Sequence, residues 1–104
     1  MATVQENLPK PSNPLGVSGI EFIEYATSQP QALGALLSQL GFAPTARHRS
    51  REVTLYQMGG MNIIVNASPS AAGLAAPAVP ALTAMALRVN NAAQAHAAAC
   101  NLGA

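Results

Sequence analysis

The sequence predicts an α+β fold in which a strand–helix–strand–strand–strand (βαβββ) module is followed by the first strand and helix of a second module. A strand, a helix start and a helix stop follow one another directly after residue 19, and a Gly-Gly pair separates two alternating apolar stretches near residue 60. The strand–helix pattern then returns before the C-terminus. A pattern that repeats in this way is typical of a duplicated module.

The first strand and the start of the first helix lie between residues 19 and 31. Ile20–Ala26 is rich in β-branched and aromatic residues, which favours a strand. Ser28 stands where an N-cap is expected, and Gln31, three residues later, would complete a capping box. Pro30 suits the first turn of a helix.

Leucines at helical spacing predict that this helix has one apolar stripe along its length. The glycine that follows suits a left-handed helix stop, after which Phe42 is expected to fold back onto Leu37. The stripe and its stop are formed by Leu33, Leu36, Leu37, Leu40 and Gly41.

Three further strands complete the first module, which therefore covers residues 19–66. Ala43–Ser50 predicts the second strand, and Val53–Met58 and Met61–Asn66 predict the third and fourth. Gly59-Gly60 between the last two is a hairpin signal.

The second module is predicted to begin at residue 83 and to stop at residue 104. Thr83–Val89 reads as a strand, Asn90 or Asn91 as the cap, and Ala92–Leu102 as a helix. Three more strands would be needed to complete it, and an open sheet without them has unpaired edges. We therefore expect either a longer protein or a second chain that supplies the missing pairing.

Two segments outside the modules are rich in proline. Residues 1–18 predict an extended or disordered leader. Residues 67–82 predict a Pro- and Ala-rich connector, in which a short helix at 71–76 is the longest that the prolines allow.

Composition excludes several classes of function. The net charge of +1 gives no electrostatic reason to expect a nucleic-acid or membrane partner. Half of the 104 residues are hydrophobic but only 4% are aromatic, so much of the apolar content is alanine. A single cysteine excludes an internal disulfide and suits a reducing compartment. Without a signal-peptide pattern or a membrane-length apolar run, a cytoplasmic protein is expected.

Several segments of the sequence resemble the N-terminal domain of bacterial 4-hydroxyphenylpyruvate dioxygenase. This enzyme belongs to the vicinal oxygen chelate (glyoxalase/bleomycin resistance/dioxygenase) superfamily. The resemblance runs from about Asn13 to Ala104. It rests on separated short motifs that occur in the same order as in that family. These motifs are Asn13–Gly16, Gly19–Ala26, Leu40–Phe42, His48–Ser50, Val53–Tyr56, Asn62–Asn66 and Met85–Val89.

This resemblance implies an Fe(II) enzyme of tyrosine catabolism that converts 4-hydroxyphenylpyruvate and O₂ to homogentisate and CO₂. In that family two histidines and a glutamate of a C-terminal domain hold the iron, and that domain is not in this sequence. The resemblance therefore implies that this chain is non-catalytic and holds no cofactor. It further implies a role in structure and assembly, with the catalytic domain and further copies of the protein as partners.

Ligand chemistry also argues against a metal site in this chain. In modules of this fold the ligands come from the first and fourth strands and from their second-module counterparts. The first-strand position corresponds to Glu21 and its counterpart to Ala84, which has no donor atom. Asn62 and Asn66 on the fourth strand are weak ligands. Glu21 is expected to be a vestigial ligand position on the concave side of the sheet, or a surface carboxylate paired with Arg88 or Arg47.

The remaining reactive side chains have ordinary interpretations. Strand alternation would put Arg47, Arg49 and Arg51 on one solvated face, or against another subunit, with His48 on the other face. His96 is expected to be exposed. Cys100 is expected to be a buried, inert thiol, because no base or cation close to it is evident.

Three alternatives use the same fold. A small dimeric binding protein of the bleomycin-resistance type would have a pocket lined by Phe22, Tyr56, Ile64 and Met85. A glyoxalase-like metal lyase would need a ligand in place of Ala84. A 4-hydroxymandelate synthase-like oxygenase would share this region and differ beyond residue 104.

Overall fold

The computed structural model describes residue 9 and residues 11–70 and 73–104. The described residues confirm the predicted α+β class, with a βαβββ module followed by a strand and a helix. Half of the predicted leader, residues 1–8 and residue 10, lies outside the described residues, and the first strand already begins at Val17. The elements are β1 (Val17–Ala26), α1 (Pro30–Leu40), β2 (Ala43–Arg47), β3 (Val53–Met58), β4 (Met61–Asn66), β5 (Ala81–Val89) and α2 (Ala92–Asn101).

The five strands form one sheet in the order β2-β3-β4-β1-β5. β1 is parallel to β4, and β3 is antiparallel to both β2 and β4. Met58 pairs with Met61 across the hairpin, and Gly59 has a φ of +57°, as the predicted Gly-Gly turn requires. Thr83 contacts Glu24 and Arg88 contacts Glu21, so β5 runs antiparallel to β1.

The core lies between α1 and one face of the sheet. Ile63 and Val65 alternate along β4 and are buried beneath Leu37 and Phe42. Their register partners on β1 and β3 share this face, because side chains directly opposite each other point to the same side of a sheet. The residues packed against the buried cluster are Tyr25, Leu33 and Tyr56.

The start of α1 differs from the prediction. Ser28 is not the N-cap, and no capping box with Gln31 forms: the cap residue is Gln29, which makes no side-chain cap hydrogen bond. The side-chain acceptor at this turn is instead Thr27, which is fully buried. Its hydroxyl accepts a hydrogen bond from the Gln29 N–H at 3.0 Å. Pro30 does occupy the first turn, as predicted.

Thr27 and Ser28 also hold both ends of the connector. The Thr27 N–H donates to the Asn66 carbonyl at 3.0 Å, and its hydroxyl donates to the Ala78 carbonyl at 3.1 Å. The Ser28 N–H donates to the Pro77 carbonyl at 2.8 Å. The turn between β1 and α1 is therefore the point at which the connector leaves and returns.

The apolar stripe of α1 is narrower than its leucines predict. Leu37 is buried, but Leu36 and Leu40 are 52% and 61% exposed. The helix approaches the sheet along Gly34 and Leu37, and the Tyr56 hydroxyl lies against Gly34. The helix stop is as predicted: Gly41 has a φ of +108°, and the buried Phe42 donates its N–H to the Leu37 carbonyl at 2.9 Å.

Two strands and the connector depart from their predicted limits. β2 ends at Arg47 rather than at Ser50, because the chain turns after it. β5 begins at Ala81, two residues before the predicted start. Residues 73–76 form no helix, so the short helix predicted at 71–76 is wrong there, while residues 71 and 72 lie outside the described residues.

The chain divides into two compact units. The larger is Gly19–Arg88, and the smaller contains Val89–Ala104 with the described residues up to Ser18. In the smaller unit Asn91 is the N-cap of α2, because its side chain accepts a hydrogen bond from the Gln94 N–H at 3.0 Å. α2 has no buried residue.

Within the part of the chain that is described, no helix has the length and apolarity to cross a membrane.

Candidate functional site

The carboxylate of Glu21 is engaged by a guanidinium. Arg88 Nε donates to Glu21 Oε2 at 2.6 Å, and both side chains are about half exposed. Strand alternation from Ile23 and Tyr25 puts Glu21 on the side of the sheet that faces α1. Of the roles considered for Glu21, the ion pair with Arg88 is the one that this geometry provides.

The other positions considered as ligands do not fit an Fe(II) site. Asn62 donates its amide N–H to the Glu21 carbonyl at 2.9 Å and accepts from the Gln57 amide at 2.7 Å. Asn66 Oδ1 accepts the Ser68 N–H at 2.9 Å, and Ala84 offers only a methyl group. Among the described residues no three His, Cys, Asp or Glu side chains gather closely enough to hold a metal ion. A facial triad requires two imidazoles and a carboxylate together.

The side of the sheet opposite α1 carries several apolar side chains, and none of the described residues of the larger unit forms a helix that packs on it. Leu55 is the register partner of Ile64, and Phe22 follows on the same face by alternation; all three are half-buried. The Thr83 hydroxyl donates to Glu24 Oε2 at 2.9 Å, so Thr83 shares this face. Alternation then adds Met85 and Leu87, which are 55% and 45% exposed. These residues are called the open face below.

The open face corrects the pocket predicted for a small binding protein. Tyr56 pairs with Ile63, which is buried beneath α1, so Tyr56 lies on the other side of the sheet from Ile64. A pocket lined jointly by Phe22, Tyr56, Ile64 and Met85 is therefore wrong. The error comes from combining residues of both strand faces.

The basic residues gather around the turn between β2 and β3. Arg47 is the last residue of β2, whereas Arg49 and Arg51 lie in the turn, so the predicted alternation of all three on one strand face is wrong. His48 causes the turn, because its Nδ1 accepts the N–H groups of Ser50 at 3.2 Å and of Arg51 at 3.1 Å. All of these side chains are exposed.

Two cavities adjoin this turn. One, of about 410 Å³, lies between the turn, β3 and the first residues of α1. The other, of about 750 Å³, lies between Ser50–Glu52 and the segment 66–70. The two segments of the second cavity are joined by hydrogen bonds from the Glu52 N–H to Ser68 Oγ at 3.1 Å and from the Ala67 N–H to the Glu52 carbonyl at 2.8 Å.

Cys100 is exposed, and the prediction of a buried thiol is wrong. Its sulfur lies 3.8 Å from His96 Nε2, one turn earlier on α2, and His96 is exposed as predicted. Sequence reasoning missed this neighbour, although a spacing of four residues on a helix places two side chains on the same face. An alanine-rich helix that buries nothing leaves both groups in solvent.

Comparison with known proteins decides the family. Residues 12–104 match the family described as hydroxyphenylpyruvate dioxygenase (HPPD), N-terminal. The chain belongs to this family. The match covers the βαβββ module, β5 and α2, and it confirms the resemblance found in the sequence.

Curated HPPD relatives are much longer than this chain. The chain is 40% identical over 94 residues to a 4-hydroxyphenylpyruvate dioxygenase from a Pseudomonas species, an alignment covering 88% of this chain and 26% of that relative. It is 38% identical over 98 residues to a 3-dehydroshikimate dehydratase of Pseudomonas putida, covering 84% of this chain and 15% of that relative. The chain thus spans about a quarter or less of these proteins.

A solved structure shows the same relationship to HPPD. The chain of a xylose isomerase-like TIM barrel/4-hydroxyphenylpyruvate dioxygenase fusion protein superimposes with a TM-score of 0.63 at 36% sequence identity. The superposition covers 80% of this chain and 14% of that one. The HPPD N-terminal module is therefore found within larger polypeptides.

Proposed function

We propose that this chain is a non-catalytic scaffold, the N-terminal domain part of an Fe(II) oxygenase similar to 4-hydroxyphenylpyruvate dioxygenase. The observation that carries the proposal is the contrast between the two faces of its sheet. On the α1 side the carboxylate of Glu21, the position of β1 considered as a ligand, is paired with Arg88. The open face offers apolar side chains for contact with other parts of an assembly.

The named activities of the relatives support a scaffold role. The same region of this chain is similar to a dioxygenase and to a dehydratase, and it spans 26% of the first and 15% of the second. A reactive centre within this shared segment would have to serve two different reactions. A module that supports different catalytic partners accounts for both similarities.

For the whole protein we propose conversion of 4-hydroxyphenylpyruvate and O₂ to homogentisate and CO₂, as a cytoplasmic step of tyrosine catabolism. Iron held outside these residues would supply the oxygen chemistry. The contribution of this chain is to hold other parts of the protein in place by packing against them with its open face. Apolar burial of this kind yields roughly 25 cal/mol per Å².

An oxygen-uptake assay tests the non-catalytic role. The chain is incubated with Fe(II), ascorbate and 4-hydroxyphenylpyruvate in an oxygen electrode, beside a blank that contains the metal without protein. We expect uptake equal to the blank. Uptake above the blank that disappears on chelation of the metal would overturn the proposal.

Self-association tests the role in assembly. Analytical ultracentrifugation of the chain should show association that weakens when Phe22 of the open face is replaced by Ser. Leu36→Ser is the matched control, because Leu36 is an exposed apolar residue on the outer side of α1. Equal effects of the two substitutions would argue against the open face as the contact surface.

The open face also favours a second candidate, a small binding protein of the bleomycin-resistance type that holds an apolar ligand. The residues that would line such a site are Phe22, Leu55, Ile64 and Met85. A dimer that binds an apolar fluorescent probe in a saturable manner would favour this candidate. A strict monomer by light scattering would count against it.

A further inference from the structure

We propose that the cavity of about 410 Å³ between the start of α1 and the β2–β3 turn binds a small anion that carries phosphate groups. The cavity lies wholly within the larger compact unit. The proposal goes beyond the scaffold role and does not depend on it. The lining is formed by Pro30, Gln31, Arg47, His48, Arg49, Ser50, Arg51, Glu52, Thr54 and Tyr56.

The lining carries an excess of positive charge. The lining residues include three arginines, Arg47, Arg49 and Arg51, and one glutamate, Glu52, which is an excess of two positive charges when histidine is counted as neutral. In the described part of the chain the salt bridge that forms involves Glu21 and Arg88, so none of these three guanidiniums is paired with a carboxylate there. Guanidinium forks match the oxygens of phosphate and bind them in pairs.

The turn that contains these residues is held by its own hydrogen bonds. His48 Nδ1 accepts two backbone N–H groups, from Ser50 and Arg51. The His48 N–H donates to the Val53 carbonyl at 2.8 Å, and the Val53 N–H donates to the Arg51 carbonyl at 2.9 Å. Because Nδ1 is occupied as an acceptor, the neutral ring carries its proton on Nε2. A pre-organised site spends less of its binding free energy on ordering.

The first turn of α1 adds backbone N–H groups, which favour anions as the arginines do. The N–H groups at the start of a helix have no intrahelical partner, and the positive end of the helix dipole favours anions. Here the cap residue Gln29 makes no side-chain cap hydrogen bond, and the first turn has no acidic residue. Gln31 of this turn borders the cavity, as do the hydroxyl-bearing residues Thr54 and Tyr56. Residues of the helix start, of the β2–β3 turn and of β3 thus line one cavity.

The size of the cavity and its scarcity of aromatic rings indicate a small ligand. Pockets for small molecules typically measure about 300–1,000 Å³. A nucleic-acid strand would be expected to stack its bases on exposed aromatic rings, but the one aromatic residue here, Tyr56, is half-buried against Gly34. A compact anion with one to three phosphate groups fits both observations.

Titration with inorganic pyrophosphate tests the site. Amide resonances of the ¹⁵N-labelled chain are followed by NMR as pyrophosphate is added at constant ionic strength. We expect saturable shifts confined to Gln31, Ala32 and residues 47–54. The double variant Arg49→Gln/Arg51→Gln should weaken binding by roughly tenfold or more, because charge-assisted hydrogen bonds are lost. The substitution Gln31→Glu should also weaken pyrophosphate binding, because it adds a negative charge at the start of α1.

The control is Arg88→Gln, which removes one positive charge away from the cavity and should leave the affinity unchanged. A loss in binding free energy half as large as that of the double variant, which removes two charges, would overturn the proposal, because binding would then follow net charge alone. Shifts of equal size with sulfate would overturn the preference for phosphate. The absence of any shift at millimolar pyrophosphate would overturn the proposal of an anion site. That result would favour an acidic protein surface as the partner of the turn. Circular dichroism of each variant shows that the fold is retained.

Discussion

The two helices look alike in the sequence and differ in what stabilises them. α1 spans eleven residues and α2 ten, and each is followed by a glycine with positive φ within two residues of its end. α1 buries Gly34 and Leu37 but has no side-chain cap. α2 buries nothing and is capped by Asn91. One helix therefore relies on packing, and the other relies on its cap and on the helix propensity of alanine.

This difference teaches that a repeated pattern does not imply repeated energetics. The spacing of apolar residues and the glycine stop specify that a helix forms, whereas side-chain size decides how much apolar area it can bury. At roughly 25 cal/mol per Å², a buried leucine contributes far more than an alanine. The following substitutions test this contrast, from the largest expected effect to the smallest.

Leu37→Ala should have the largest effect. Leu37 is 5% exposed in the core, so its truncation removes buried methylene groups and leaves a cavity, at a cost of about 2–5 kcal/mol in the free energy of unfolding. Urea denaturation followed by circular dichroism measures this cost. Leu36→Ala is the control and should cost well under about 1 kcal/mol, because Leu36 is 52% exposed. Equal costs would contradict the narrow packing line of α1.

Gly34→Ala should come next, with a loss of about 1–2 kcal/mol despite the better helix propensity of alanine. The added Cβ would overlap the Tyr56 hydroxyl and lie 3.2 Å from Cζ of the same ring. The loss should shrink in a Tyr56→Phe background, which removes the overlapping oxygen, and a double-mutant cycle measures this coupling. Gly19→Ala is the control, because nothing lies within 4 Å of the added atom. Additive effects of Gly34→Ala and Tyr56→Phe would show that the two residues do not touch.

Asn91→Ala should cost α2 about 1 kcal/mol of helix stability, because the Gln94 N–H loses its acceptor. Hydrogen exchange at the Gln94 and Ala95 amides reports this loss even if global unfolding is unaffected. Ser28→Ala should leave exchange at the start of α1 unchanged, since Ser28 makes no cap there. Faster exchange in Ser28→Ala would restore Ser28 as a cap.

Cys100→Ser should have the smallest effect on stability, near zero, because the side chain is exposed. In the folded chain a thiol-specific disulfide reagent should therefore modify Cys100 completely, without denaturant. Adding urea should change the rate little. Protection of the thiol that disappears only on unfolding would indicate that α2 has a buried face after all.

The sequence predicted those elements whose local signals agree. β3 and β4, the Gly59-Gly60 hairpin and the Gly41 stop all lie where alternation and glycine chemistry place them. The cap of α1 was wrong because Thr27, which lies one position before the expected cap, is buried through contacts that come from residue 66 and residues 77–78. No local pattern contains such distant partners.

The candidate sites were predictable in composition but not in geometry. The cluster of basic residues was visible in the sequence, yet His48 ends β2 by accepting two N–H groups, and this turns Arg49 and Arg51 out of the strand. Gln31 reaches the same cavity from α1, and only the folded sheet brings these segments together. Cys100 was misplaced because burial was inferred from residue type rather than from what α2 can bury.

The hydrogen bonds of Thr27 and Ser28 hold the two ends of the connector loop close together. The chain leaves at the Asn66 carbonyl and returns at the carbonyls of Pro77 and Ala78, all held by two adjacent residues. Extra residues placed between these ties need not disturb β4 or β5, since doubling the length of a loop costs only about 0.6 kcal/mol. The connector is thus a natural place to insert an affinity tag or a fluorescent reporter without altering the sheet.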